Sequence, residues 1–84
     1  MAERHGNTFR LVIASVADTQ FDGSAFSATM PGSAGEFTIL PHHEPFVSTL
    51  KAGTITVRHG NENRTFEITG GVVECAGTRA VVLL

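Results

Sequence analysis

Residues 32–45 read GSAGEFTILPHHEP, and this stretch decides the fold class. Phe37 and Ile39 alternate with Glu36 and Thr38, the period of a strand with one buried face. Pro41 and Pro45 then fix φ at two points four residues apart and remove two backbone N–H donors. The segment from Leu40 to Phe46 is therefore expected to be a stiff loop and not a central strand. It carries His42, His43 and Glu44, which raises two readings: a metal or proton-handling site, or a preformed contact surface. A stiff exposed loop loses less conformational entropy on docking than a flexible one, which favours the second.

The period of two recurs along the chain. Phe9, Leu11 and Ile13 fall on one side of TFRLVIAS, with Thr8, Arg10, Val12 and Ala14 on the other. Phe26, Ala28 and Met30, then Ile55 and Val57, then Phe66 and Ile68, repeat the pattern. GVVEC and RAVVLL are short and β-branched and are read as central strands. Turn signals lie between the runs at Asp22-Gly23, Pro31-Gly32, Ala34-Gly35, Ala52-Gly53, Gly60-Asn61, Gly70-Gly71 and Ala76-Gly77. HGNEN is expected to be a hairpin loop between strands at 54–59 and 64–69, because glycine and asparagine tolerate positive φ. Short strands punctuated this often predict an all-β fold, a flattened sandwich or barrel, with 1–84 as a single domain. The carboxyl end, TRAVVLL, stops inside an apolar run, which is a poor free end unless that strand is paired within the sheet.

Composition narrows the function classes. With 84 residues, 42% hydrophobic and 17% charged, the chain can bury a modest core. Its net charge of −2 gives no electrostatic reason to expect nucleic acid or an anionic membrane surface, so proteins are the expected partners. The one cysteine, Cys75, follows Val72-Val73-Glu74 and is expected to be a small buried hydrophobe. MAERHGNTF contains Glu3, Arg4 and His5 and no apolar core, so it does not read as a secretory signal, and no apolar run is long enough for a bilayer span. A bacterial cytoplasmic location follows as the expectation, with any membrane association through a partner.

Enzyme chemistry finds weak support. A zinc site needs three or four ligands converging at about 2.0–2.3 Å. The candidates are His5, His42, His43, His59 and the carboxylates, and only His42, His43 and Glu44 cluster. In an extended chain adjacent side chains point to opposite sides, so neighbouring histidines are poorly placed to share a metal. A small metal-dependent β-barrel enzyme built on His42, His43 and a distant carboxylate stands as the alternative reading, beside a generic protein-binding sandwich. No serine sits in a nucleophile-elbow pattern. Gly32-Ser-Ala-Gly35 lacks the Gly-Lys-Ser/Thr ending of a phosphate-binding loop, and Gly70-Gly71 sits between two strands. These glycines are expected to supply turns, a bulge or close backbone approach.

The longer pattern resembles a known family. The chain has Phe21-Asp22-Gly23, then Gly32-Ser-Ala-Gly-Glu-Phe-Thr-Ile-Leu-Pro-His-His-Glu-Pro45, then Leu50-Lys-Ala-Gly53 and Ile68-Thr-Gly-Gly-Val-Val-Glu74. In order and spacing this is similar to the N-terminal β-sandwich domain of the epsilon subunit of rotary F-type ATP synthase. The resemblance implies a flattened sandwich of about ten strands. It implies a non-catalytic central-stalk subunit that joins the gamma subunit to the membrane c ring and couples ion-driven rotation to ATP synthesis. The location it implies is the cytoplasmic face of the bacterial inner membrane, peripheral through the complex, with no cofactor of its own. The family's C-terminal helical hairpin, which inhibits hydrolysis and in some members binds ATP, has no counterpart in these residues. Coupling without hairpin-type inhibition, and no ATP binding, are the corresponding expectations.

Position by position, the resemblance implies that Glu36 faces the c ring and that Ser15, His43 and Val47 face gamma. It also marks Gly32, Gly35, Pro41, Pro45, Gly53, Gly70 and Gly71 as shaping residues. His42 stands where the family usually has glycine, and Glu44 where it often has alanine. If that glycine position uses positive φ, a histidine there is tolerated only at some cost.

Overall fold

The computed structural model describes residues 7–84; the N-terminal reading of Glu3, Arg4 and His5 lies outside the described residues. Seven strands make up its regular structure: β1 (Phe9–Ala14), β2 (Thr19–Ala25), β3 (Ser27–Gly32), β4 (Gly35–Ile39), β5 (His43–His59), β6 (Glu62–Gly77) and β7 (Arg79–Leu83). They hydrogen-bond in the order β2-β1-β7-β6-β5-β3-β4. Only β1 and β7 run parallel; the other neighbours are antiparallel. The all-β reading stands, and the strand count falls from about ten to seven.

The difference lies in β5 and β6, with 17 and 16 residues. Ala52-Gly53 and Gly70-Gly71 are turn signals in sequence, yet Lys51 pairs with Gly70 and Gly53 with Ile68, so the ladder runs on past both. Straight strands of that length would span about 50 Å at about 3.3 Å per residue. The molecule is 41 Å along its longest axis, so the long hairpin must bend. Gly70 and Gly71, at φ 152° and 155°, supply backbone that other residues rarely adopt and turn β6 without breaking it. The first half of β5 and the second half of β6 join β7, β1 and β2 in one layer; the remaining halves join β3 and β4 in the other. Asp22-Gly23 is likewise no turn but part of β2, opposite Val12 and Leu11.

Alternation fills the space between the layers. Leu11, Ile13, Val73, Ala80 and Val82 from one layer meet Met30, Ile39, Ile55 and Val57 from the other, all fully buried, and no polar side chain is buried among the described residues. Phe26 lies outside this set: it sits at the bend between β2 and β3 and is only partly covered, while Ala25 takes the buried position. Cys75 is buried, and burial pushes its thiol up from the ordinary value. Phe21, on the outermost strand of one layer, meets Phe66 of the other edge to face at 6.0 Å, which closes the sandwich on that side. β7 pairs on both sides, so the apolar carboxyl run is held inside the sheet.

Candidate functional site

Pro41 and His42 form the two-residue turn that leads into β5. His42 has φ 64°, the one left-handed residue other than glycine among the described residues. Proline first and a left-handed residue second is the signature of a type II turn, which favours glycine at the second place. The stiff loop expected over Leu40–Phe46 is therefore shorter than its prolines suggest. β5 begins at His43 and contains Pro45, which is accommodated because the β5–β6 register shifts between His43 and Phe46. At such a bulge a missing N–H leaves no gap in the ladder.

This turn aims His43 toward Phe46, with ring centroids 5.4 Å apart, and Phe46 in turn meets Phe37 of β4 edge to face at 5.6 Å. His43, Val47, Phe46, Ser48, Phe37 and Thr38 line a shallow groove of about 370 Å³. Nδ1 of His43 is buried there without a hydrogen-bond partner. The groove continues onto the outer face of one layer. Register places Val47, Glu74, Val81 and Val12 in one row, and Thr49, Val72, Leu83 and Ala14 in the row two residues along, all on the side away from the core. Val47 is 68% exposed, Leu83 59% and Val72 40%, and Val12, Ala14 and Val81 are partly exposed. Apolar side chains gathered on one sheet face in this way make a candidate interaction surface.

The structure brings His43 and Val47 into one groove and leaves the other two expected contact residues apart from it. Ser15 follows β1 at the Leu83 end of the outer face. Its N–H donates to the Asp18 carbonyl at 2.8 Å and its Oγ accepts from the Ala17 N–H at 3.2 Å, so it shapes the β1–β2 turn. Glu36 is exposed on β4, an outermost strand, opposite Pro31. The pleat turns it away from neighbouring Phe37. Gly32 and Gly35 bracket the turn at 33–34. Gly53 lies within β5, where an added Cβ would stand 2.9 Å from Pro31 Cβ, so it permits a close strand approach. Phe37, Phe46, Val72 and Leu83 were missing from the candidate set. The signal for the last two was present in GVVEC and RAVVLL, whose alternate residues must face outward even in a central strand.

Among the described residues no three His, Cys, Asp or Glu side chains are grouped to hold a metal ion. His42 and His43 diverge, one in the turn and the other in the groove. Electrostatics on the outer face are simple. Arg10 and Asp22 face each other across β1 and β2 with bonds of 2.8 and 3.1 Å. That hydrogen bonding by Arg10, with the attraction of its charge, holds the Asp22 carboxyl below its ordinary value.

Fold and surface define a β-sandwich with an exposed aliphatic sheet face. Residues 8–84 match the family described as ATP synthase, Delta/Epsilon chain, beta-sandwich domain, and the chain belongs to that family. It is 39% identical over 71 residues to the ATP synthase epsilon chain of Rickettsia prowazekii, covering 80% of this chain and 62% of that protein. The epsilon chain of Desulforamulus reducens is 37% identical over 76 residues, covering 90% of this chain and 58% of that protein. The chain thus spans less than two thirds of the length of these relatives. A chain in the Euglena gracilis mitochondrial ATP synthase structure, OSCP/F1/c-ring in rotational state 1, shares the fold with a TM-score of 0.85 at 19% identity, over 92% of this chain and 50% of that one.

Proposed function

We propose that this chain is a non-catalytic subunit of the ATP synthase central stalk that docks on gamma through the outer aliphatic face and meets the c ring through Glu36. The observation that carries the reading is the face built from Val47, Val72 and Leu83 around the His43 groove, on a chain of the epsilon family. A partner that covers it removes three exposed aliphatic side chains from water, each worth about 1–2 kcal/mol when fully buried. It also offers His43 Nδ1 a hydrogen bond. Residues 1–84 act as one domain in this reading, with Ser15 holding the turn beside the gamma contact and Glu36 presenting a charge to the ring's polar loops. The location is the cytoplasmic face of the bacterial inner membrane, reached through the complex. Whether protons or sodium ions drive rotation is decided in the ring.

A stiff coupling element suits this role. β7 is paired on both sides, and the continuous β5–β6 ladder ties the two layers together. Retention of the chain by immobilised gamma tests the reading. Wild type and Glu36→Gln are expected to be retained, Val47→Asp to be lost, and Glu36→Gln to weaken only attachment of the gamma complex to the ring. No retention of the folded wild-type chain would refute the proposal.

A further inference from the structure

At the tip of the long hairpin the core-facing alternation continues after the apolar core has ended. On the inner face Ile55 pairs with Phe66, then Val57 with Arg64, then His59 with Glu62. Three polar side chains thus occupy positions that point between the layers, at the mouth of the sandwich beside Phe21 of β2. The guanidinium of Arg64 lies over the ring of Phe66 at 5.0 Å and over that of Phe21 at 5.6 Å. The His59 ring stands edge to face on Phe21 at 5.2 Å. Phe21, His59 and Arg64, with Thr19, Gln20, Asp22 and Gly23, line a shallow hollow of about 400 Å³.

Two donor groups there lack an acceptor. Arg64 makes no hydrogen bond or ion pair among the described residues, although two aromatic rings hold it in place. Nε2 of His59 is buried without a hydrogen-bond partner, and Glu62 Oε1, at 3.9 Å, is too far to supply one. The remaining carboxylate of the hollow, Asp22, is engaged by Arg10 on two oxygens. Arg64 and His59 thus leave donor groups at this mouth without an acceptor.

We propose that this mouth binds a carboxylate, presented by an acidic side chain of a partner protein. A guanidinium stacked on aromatic faces keeps its edge free, and that planar edge matches both oxygens of a carboxylate. The His59 imidazole supplies a further donor from the side, and the hollow is wide and open enough for one side chain and too shallow to enclose a free ligand. The site is separate from the outer aliphatic face and does not depend on the docking assigned to that face.

The test is a heteronuclear NMR titration of the chain at constant pH and ionic strength with the blocked tripeptide acetyl-Gly-Glu-Gly-amide. Its glutamine counterpart serves as control, and inorganic phosphate as a second arm. Saturable shifts of the Arg64 side-chain N–H and the His59 ring are expected with the glutamate peptide alone. Arg64→Gln and Arg64→Lys, both exposed replacements that should leave the rest of the spectrum in place, are expected to weaken binding about tenfold or more, as for loss of a charged hydrogen bond. Shifts that rise without saturating, an equal response to the glutamine peptide, tighter binding of phosphate, or unchanged binding by Arg64→Lys would each overturn the proposal.

Discussion

His42 offers a direct measurement of what a turn residue costs. It occupies the left-handed region at φ 64° in a two-residue turn after Pro41, where a Cβ is crowded against the backbone. An L-residue there costs about 1–2 kcal/mol, and glycine avoids that cost while giving back about 0.4–1 kcal/mol through its looser unfolded chain. The difference between His42→Gly and His42→Ala isolates the backbone term, because both remove the imidazole and whatever it touches. Glycine is expected to exceed alanine by about 1 kcal/mol, with histidine between them, since histidine tolerates this region better than alanine. Urea unfolding should show the shift in midpoint at unchanged slope, and melting temperatures should separate by about 4–8 °C for a domain of this size. If alanine proves as stable as glycine, the left-handed turn does not exist in solution. The placement of His43, which the turn aims into its groove, would then fall with it.

Other outcomes follow from the packing and charge. Gly53→Ala puts a methyl 2.9 Å from Pro31 Cβ and should destabilise by about 1–3 kcal/mol in the same assay, from overpacking between β5 and β3. Asp22 is held below its ordinary value of 3.8 by its hydrogen bonds to Arg10, so the pair stabilises above about pH 4 and its contribution is lost as pH falls through the lowered value. Asp22→Asn should therefore flatten the acid limb of the stability profile and leave its shape above pH 5 unchanged; both groups are exposed, so high salt should shrink the effect. Cys75 is buried and its thiol pushed up, so a thiol reagent at neutral pH should label it only as the chain unfolds, at a rate that follows denaturant concentration.

The sequence makes the inner face legible because alternation is a local property: Leu11, Ile13, Ile55, Val57 and Ile68 all land inside as their spacing predicts. Glycine is less informative. Gly32-Ser-Ala-Gly35 marks a true turn, but Ala52-Gly53 and Gly70-Gly71 mark bends within a continuing ladder, and the same conformational freedom serves both. Which one results depends on strands distant in sequence: β3 presses Pro31 against Gly53, while β7 brings the Leu83 carbonyl to 2.6 Å from where a Cβ on Gly71 would stand. The groove is assembled more locally, since Phe37 and His43 lie six residues apart on either side of the turn at Pro41 and His42. The outer face was hidden for a different reason. In a β-branched run such as AVVLL both faces are apolar, so composition alone cannot tell a strand covered on both sides from one covered on one side and waiting for a partner.

That ambiguity gives the docking face its experimental leverage. Val82 and Leu83 are neighbours in β7 and differ by one step of the pleat, yet Val82 is fully buried and Leu83 is 59% exposed. Val82→Ala should cost the isolated chain about 1–3 kcal/mol, from lost core packing, and reduce gamma retention only as far as it unfolds the chain. Leu83→Asp should change stability by no more than about 0.5 kcal/mol, as for an exposed position, while abolishing retention because it sets a desolvated charge against the partner. The pair can be measured with the same two assays, circular dichroism melting and binding to gamma. Opposite rankings in the two assays would mean that folding and docking are written on alternate residues of one strand. The same ranking in both would mean that the outer face is not where gamma sits, and the aliphatic surface would need another occupant.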